Sequence, residues 1–267
     1  MTAQPHDAAT LERLRAAIRS TSERLVSLLR TVTDPASTAI GDWSIQDLAI
    51  HLTDVYEDYP RFLRGEKTVL TDPTGITAYN AEVVGAGRGL SVKDAAGRIE
   101  AAARELDGQL AEWPPGDPVT WHGELRLSPA TFAALPASEA IVHGRDVARA
   151  EGRSFRTEQA HAAVTLANLA PLLPSYVNKE AAAGFSAVYD LRLKGGERRF
   201  LTFRDGSLEV SATPRRADCV VLADPETFLL IGYNRIGQWG PALTGKVLTW
   251  GRKPWLALKL PNLIASI

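Results

Sequence analysis

The 267-residue chain is longer than most single domains, so two domains on one polypeptide are expected. Its formal net charge of -1 gives no whole-protein field that would attract nucleic acid or acidic membranes, and neither is expected as a partner. The single cysteine excludes an internal disulfide and a cysteine-rich zinc site. With no export signal and no apolar stretch of about 18 residues, the expected location is the cytoplasm.

Apolar residues in the first part of the chain follow the period of amphipathic helices. Leucine and isoleucine at three- and four-residue steps predict a first helix over about residues 10–30. A second helix is predicted to begin at Ser44, because Ser44 and Asp47 have capping-box spacing. Pro60 is expected to kink or end this helix, since proline lacks the backbone N–H that helices need.

Two further helices complete the N-terminal pattern. The third is predicted from Ser91 to about Trp113, where a Pro-Pro-Gly sequence follows. The fourth is predicted from Ser128 to Gly152, with a break at Pro136. Four amphipathic helices joined by loops predict a four-helix bundle.

Beyond a further predicted helix at residues 157–177, the apolar period changes to that of strands. The pairs Gly195-Gly196 and Asp205-Gly206 are favoured hairpin turns, so they predict a meander of three strands. We place the domain boundary near residue 180, giving a bundle at residues 1–180 and a smaller α+β domain at 181–267. The strands and helices predicted in this α+β domain are 186–193, 199–204, 207–212, 218–222, 225–233, 246–250 and a closing helix from 254.

A candidate metal site lies on the second and fourth predicted helices. Glu139 and His143 are four residues apart, so their side chains stack on one helix face and can reach the same ion. His51 lies near the edge of the apolar face of its helix and can point into the bundle. Asp146 shares the face of His143 and could accept a hydrogen bond from a ligand imidazole.

Three protein ligands would leave one coordination position open, which distinguishes catalytic zinc sites from structural ones. The ligand types alone leave the metal open, because a site of histidine and carboxylate ligands suits zinc, iron or nickel. The simpler alternative is that Glu139 and His143 share a helix face by chance. Trp43, just before the second helix, is interpreted as a packing residue.

Two segments resemble a known family. Asp42-Trp43-Ser44-Ile45-Gln46-Asp47-Leu48-Ala49-Ile50-His51-Leu52 resembles the opening of DinB-like metal-binding bundles. Glu139-Ala-Ile-Val-His143-Gly-Arg-Asp146, ending in Ala-Glu-Gly152, resembles a segment of the mycothiol-dependent maleylpyruvate isomerase family. Residues 217–260 are similar to the sterol-carrier-like domain that follows the bundle in that family. The expected fold is therefore a DinB-like four-helix bundle followed by a smaller sterol-carrier-like α+β domain.

The resemblance implies that His51, Glu139 and His143 hold zinc and that mycothiol, a low-molecular-weight thiol, is the co-substrate. A metal-bound thiol has a depressed pKa, so it can add as thiolate to a small electrophile near neutral pH. In an isomerase the thiol leaves again after bond rotation, whereas in a transferase the adduct is kept.

The resemblance does not identify which arginines bind the substrate. Arg88, in the loop predicted before the third helix, is the candidate catalytic residue, and Asn80 lies nearby. Arg192, Arg199 and Arg235 of the second domain could hold a carboxylate, although each is also interpreted as an exposed solubilising residue.

The leading hypothesis is a zinc-dependent, mycothiol-using isomerase or transferase, acting as a monomer or small homo-oligomer. The alternative is a binding protein in which the α+β domain holds an apolar small molecule and the metal only stabilises the bundle. A carrier needs no exchangeable water on the metal, whereas a thiol-activating enzyme requires one.

Overall fold

A computed structural model describes residues 5–67, 75–114 and 116–264 of the chain. The chain separates into two compact units, Met1–Arg156 and Thr157–Ile267. The helix that follows residue 157 packs with the second unit, where it contacts a helix at 225–232. The units therefore divide before this helix, whereas the sequence analysis placed the boundary after it, near residue 180.

The first unit is helical, and α1 packs against α4 and α5 while α2 packs against α4 and α5. Two short hairpins lie between helices. The helices are α1 Pro5–Leu29, α2 Ile45–Leu63, α3 Ile76–Ala86, α4 Val92–Glu112 and α5 Pro129–Ala150. The hairpin strands are β1 Thr38–Ile40 with β2 Trp43–Ser44, and β3 Val119–Thr120 with β4 Arg126–Leu127. The four predicted helices of the bundle are all present, as α1, α2, α4 and α5.

The start of α2 is fixed by the predicted capping box. The hydroxyl of Ser44 accepts a hydrogen bond from the Asp47 backbone N–H at 3.1 Å. In return, the Asp47 carboxylate accepts one from the Ser44 backbone N–H at 2.9 Å. These bonds satisfy two backbone donors that the first turn of a helix leaves free. The cap therefore sets the position of His51, which lies seven residues further along.

Neither internal proline ends its helix. Pro60 lies within α2, which continues to Leu63, so the helix does not end at this proline. The break predicted at Pro136 is wrong, because α5 is continuous from Pro129 to Ala150. Proline inside a helix costs about 3 kcal/mol. Burial of most of α5 outweighs that cost, because the helix packs in the core along its length.

The helix α3 was not predicted, and its sequence explains why. Val84 is its only buried residue among those described, so no apolar stripe marks one face. Gly75 precedes the helix and supplies no side-chain cap. Within the described residues, no helix of the structure is long and apolar enough to span a membrane.

A close contact joins α5 to the segment that follows it. The ring of Phe155 lies against Gly144, where an added Cβ would come within 2.5 Å of the ring carbon Cζ. Such a distance is far below van der Waals contact, so only glycine permits the ring to lie there. Phe155 is buried in the same core as Leu52 and Ile99.

The second unit is a five-stranded sheet with short helices. The helices are α6 Gln159–Leu169, α7 Lys179–Ala182, α8 Pro225–Gly232, α9 Trp239–Leu243 and α10 Leu260–Leu263, with 3-10 segments at Ala170–Tyr176 and Pro254–Leu258. The strands are β5 Ala187–Leu193, β6 Arg198–Arg204, β7 Ser207–Ser211, β8 Cys219–Ala223 and β9 Val247–Trp250. Every strand predicted for this part of the chain is present within two residues of its predicted ends.

The strand order is β7-β6-β5-β8-β9, so β7 and β9 are the edges. Only β5 and β8 are parallel, and the other neighbours are antiparallel. The turn between β6 and β7 confirms the predicted hairpin, because Asp205 and Gly206 both have positive φ, 42° and 80°. Positive φ at both central residues is what the favoured two-residue turn requires.

One face of the sheet encloses an apolar cavity of about 100 Å³ within the second unit. Leu191, Leu201 and Val221 of the sheet face Phe228 of α8 across it. The helix α6 also contributes to the wall, through residues such as Leu166. This shared wall is why α6 belongs with the sheet rather than with the bundle.

The Gly144 contact generates a stability prediction. Gly144→Ala should lower the free energy of unfolding by about 1–3 kcal/mol, because the new methyl group overlaps the Phe155 ring. Gly97→Ala is the matched control, since Gly97 is exposed on α4 and a Cβ there meets nothing. That change should stabilise the protein by about 0.5–1 kcal/mol, because alanine loses less backbone entropy in a helix. Urea unfolding of both variants tests the contact, and equal effects would contradict it.

Candidate metal centre

The structure brings His51, Glu139 and His143 together, and one ligand atom of each lies within 4.8 Å of the others. Glu139 Oε2 is 3.2 Å from His143 Nε2 and 3.9 Å from His51 Nε2. The two imidazole rings stand nearly perpendicular, with centroids 5.5 Å apart. In the part of the chain that the structure describes, this is the only group of three such side chains.

Two helices position these side chains. Glu139 and His143 are one turn apart on α5, so they project in the same direction. His51 comes from α2, which contacts α5. His51 and His143 are only 7% and 8% exposed, whereas the Glu139 side chain keeps 20% of its surface accessible. The centre is therefore nearly dry on its histidine side and open beside the carboxylate.

Two neighbours hold the histidine rings. His143 Nδ1 lies 3.0 Å from Asp146 Oδ2, which confirms the hydrogen bond expected from the shared helix face. With Nδ1 donating to this carboxylate, Nε2 is the atom left to face Glu139. The ring of Trp43 packs against His51 at a centroid distance of 5.3 Å. The second helix and the hairpin before it thus form one wall of the centre.

The two histidines have opposite pKa shifts. Burial and, to a lesser extent, the nearby His143 lower the pKa of His51, and Glu139 partly opposes both, so that the pKa is about 4. Burial also lowers the pKa of His143, but its hydrogen bonds with Asp146 and Glu139 outweigh burial and raise the pKa to about 9. In the metal-free protein at neutral pH, one imidazole is therefore neutral and the other is a cation.

The donor set fits a divalent metal ion. Zinc accepts histidine nitrogen and carboxylate oxygen at about 2.0–2.2 Å, so ligand atoms up to about 4 Å apart can share one ion. The two separations from Glu139 Oε2, 3.2 and 3.9 Å, meet that condition. Asp146 supplies the outer hydrogen bond that commonly orients a ligand histidine. His51, Glu139 and His143 are thus the residues that could hold the ion.

The other predicted site residues lie on other elements of the fold. Arg88 is exposed in the turn after α3, and its backbone carbonyl accepts a hydrogen bond from Gln46 of α2 at 3.2 Å. Asn80 lies on α3. In the second unit, Arg192 binds the buried carboxylate of Asp190.

Arg199 and Arg235 also have partners within the second unit. Arg199 forms an ion pair with Glu197, and its side chain lines the apolar cavity. Arg235 donates to the backbone carbonyl of Tyr233 at 2.7 Å.

Trp43 and Tyr56 are the residues at the centre whose placement the sequence did not reveal. Trp43 was interpreted only as a packing residue. In the structure it packs against His51, one of the three candidate metal ligands. Tyr56 is fully buried, and its hydroxyl donates to the Pro136 carbonyl at 2.9 Å, one turn before Glu139. Tyr56 lies five residues after His51 on α2, a spacing that does not place two side chains on one helix face, so no signal in the sequence pointed to it.

Comparison with known proteins gives one family match. Residues 15–148, half of the chain, match the family described as the mycothiol maleylpyruvate isomerase N-terminal domain. No match was found among curated proteins. The matched segment contains all three residues of the candidate metal centre.

Solved structures resemble nearly the whole chain. Two crystal structures of the mycothiol-dependent maleylpyruvate isomerase, one of them a mutant, are 15% and 14% identical to it. Each comparison covers 90% of this chain and 92% of the other, with a TM-score of 0.55. The likeness confirms the expected fold class, a helical part followed by a sheet-containing part. A UbiJ-SCP2 ubiquinone synthesis protein matches over 38% of this chain and 88% of its own, at 18% identity and a TM-score of 0.32.

The electrostatics of the centre predict a pH dependence. The pKa of His143 in the fold, about 9, exceeds the unfolded value of 6.5, so protonation of His143 stabilises the fold below pH 6.5. That contribution is lost as the pH rises toward 9. Histidine titration by NMR of metal-free protein should show this pKa, and Asp146→Asn should lower it because the charged hydrogen-bond acceptor is removed. An unchanged His143 pKa in the variant would contradict the role of Asp146.

Proposed function

The chain belongs to the mycothiol maleylpyruvate isomerase family, and from that premise we propose that it is a zinc-dependent enzyme that uses mycothiol. In this proposal a low-molecular-weight thiol adds to a small electrophile at the His51, Glu139 and His143 centre. The observation that carries it is the convergence of two imidazole nitrogens on one carboxylate oxygen, at 3.2 and 3.9 Å, inside the matched segment.

Zinc bound at this centre would lower the pKa of a thiol at its open coordination position, which makes the thiol a nucleophile near neutral pH. The residues of the chain prepare that position. Asp146 fixes the tautomer of His143 by accepting from Nδ1, which leaves Nε2 free to bind. Trp43 packs on His51 and limits the access of water on that side. The partly exposed side of Glu139 is where the thiol and the electrophile would enter.

The reaction proposed for a maleylpyruvate-like substrate conserves the thiol. Its sulfur forms a bond to one alkene carbon, and the π electrons move into the conjugated carbonyl. The former double bond then rotates as a single bond. The electrons return, the carbon–sulfur bond breaks, and the alkene re-forms in the trans geometry with the thiol released. In the transferase form, the adduct gains a proton at the neighbouring carbon and is retained.

Arg88 is the proposed recognition group for an anionic substrate. Gln46 holds the Arg88 and Leu90 carbonyls beside the first turn of α2, at 3.2 Å each. The turn also approaches Ile50 so closely that a Cβ at Gly87 would lie 2.4 Å from the Ile50 side chain. An arginine on this anchored turn is a cation near the helix that carries His51, and its planar guanidinium suits a carboxylate.

The second candidate is a binding protein for an apolar small molecule, and the cavity of the second unit favours it. Its volume of about 100 Å³ and its lining of leucine, valine and alanine side chains suit an apolar group. In this case the metal would only stabilise the bundle, and no turnover of thiol and electrophile would occur.

Metal content tests the first requirement of the enzyme. Untagged wild-type protein should contain about one zinc per chain by plasma mass spectrometry, and His143→Ala should lose it because only two ligands remain. His161→Ala is the matched control, since His161 lies in the second unit and should keep the metal. A wild-type protein without metal, even after zinc is supplied, would contradict the proposal and favour the binding protein.

Turnover tests the chemistry itself. Zinc-loaded wild-type protein should convert maleylpyruvate only when mycothiol is present, and a conjugating enzyme should instead yield an adduct detected by mass spectrometry. Glu139→Gln should lower the rate by at least about a hundredfold, because the neutral amide is a weak zinc ligand. Arg88→Ala should mainly raise KM. If the zinc-loaded protein gives no turnover and no adduct with any small electrophile tried, the result would contradict the proposed enzyme and favour the binding protein.

A further inference from the structure

The end of the chain differs in charge from the rest. From Thr227 to Ile267 the sequence contains five lysines and arginines and no aspartate or glutamate. The remaining 226 residues therefore carry a formal net charge of -6, which this cationic segment nearly cancels. The whole-chain charge of -1 conceals this separation, and the expectation of no membrane partner rested on that average.

The same segment exposes large apolar side chains. Six of the seven large hydrophobic residues that are exposed in the described part of the chain lie in it. Trp239, Trp255 and Leu243 are 63%, 59% and 88% exposed. We call these six residues the C-terminal apolar surface: Trp239, Leu243, Leu248, Trp250, Trp255 and Leu258. Single exposed apolar residues are ordinary, but a concentration of tryptophan and leucine marks an interaction surface.

These residues come together around one edge of the sheet. Leu248 and Trp250 lie on β9, which is an edge strand. The helix α9, with Trp239 and Leu243, contacts β9. The 3-10 segment Pro254–Leu258, with Trp255 and Leu258, also contacts β9. The C-terminal apolar surface is thus built on β9 and the two short segments against it.

Cations lie among these apolar residues. Lys246, Arg252, Lys253 and Lys259 are all exposed. Asp218 pairs with Arg252 and with Lys253, the latter at 3.6 Å. Lys259 lies 5.7 Å from the Phe185 ring centre. For Lys246 no ion pair is seen within the described residues.

From this combination we infer that the C-terminal apolar surface docks on the surface of an anionic lipid bilayer. Exposed tryptophan and leucine enter the boundary between headgroups and acyl chains, where amphipathic indole rings are favoured. Lysine and arginine beside them are attracted to anionic headgroups, and long basic side chains can keep their charge at that level while their stems contact apolar groups. The surface lies in the second unit. Docking through it would hold the proposed enzyme at a membrane, and this inference does not depend on the reaction that the enzyme catalyses.

A second copy of the chain fits this surface less well. Pairing of two copies through β9 would bring two cationic segments together with no carboxylate within either segment to compensate. An anionic bilayer instead supplies negative charge to a segment that contains five cations and no carboxylate of its own.

Sedimentation of the full-length protein with vesicles tests the inference. The protein should bind vesicles of phosphatidylcholine mixed with phosphatidylglycerol at least about tenfold more strongly than pure phosphatidylcholine vesicles. Added salt should weaken the binding because it screens the headgroup charge. The double variant Trp239→Ser and Trp255→Ser should lower the partition at least about tenfold, since two indole rings no longer enter the interface. Both side chains are more than half exposed, so the fold should be kept.

Matched variants test which part of the protein binds the vesicles. Lys246→Glu should weaken binding to the anionic vesicles at least about fivefold. Lys93→Glu makes the same charge change at an exposed position on α4 and should have little effect. Ile76→Ser likewise removes an exposed apolar side chain of the first unit, 37% accessible, and should leave binding unchanged.

Three results would overturn the inference. The first is sedimentation that does not differ with and without vesicles. The second is an equal loss of binding in Lys93→Glu and Lys246→Glu, which would indicate a general charge effect. The third is a wild-type dimer in analytical ultracentrifugation that the double tryptophan variant abolishes, without vesicle binding, which would assign the surface to contact between copies.

Discussion

The packing of α5 against α1 and α2 is the constraint on which the candidate metal centre depends. Glu139 and His143 share a face of α5 because they are one turn apart, but they meet His51 only because α2 lies beside that face. Phe155 also packs against α5, at Gly144, the residue next to His143. Burial of α5 also explains its continuity through Pro136, because a helix packed along its length tolerates the loss of one backbone hydrogen bond.

The centre shows how one environment gives two similar side chains different properties. His51 and His143 are both buried, and burial disfavours the charged form of each. Only His143 has a second carboxylate, Asp146, at hydrogen-bond distance. A metal ion entering the centre would have to displace the proton that this arrangement holds, so acid should oppose metal binding.

The second unit uses its sheet in two ways. One face, with Leu191, Leu201 and Val221, encloses an apolar cavity. The edge strand β9 instead carries exposed leucine and tryptophan beside cations. The proposed enzyme chemistry requires neither feature, since the three metal-ligating candidates all lie in the first unit.

The sequence by itself determined the local elements and the identity of the candidate ligands. Capping-box spacing placed the start of α2, the Asp205-Gly206 pair placed a hairpin, and the four-residue step from Glu139 to His143 placed two ligands on one face. These features depend on neighbours along the chain, so spacing is enough to reveal them. The continuity of α5 through Pro136, the short helix α3, the Trp43 contact with His51 and the grouping of α6 with the sheet were decided only by tertiary structure. Each of these depends on which surfaces become buried against distant residues, and that free energy is not encoded in local spacing.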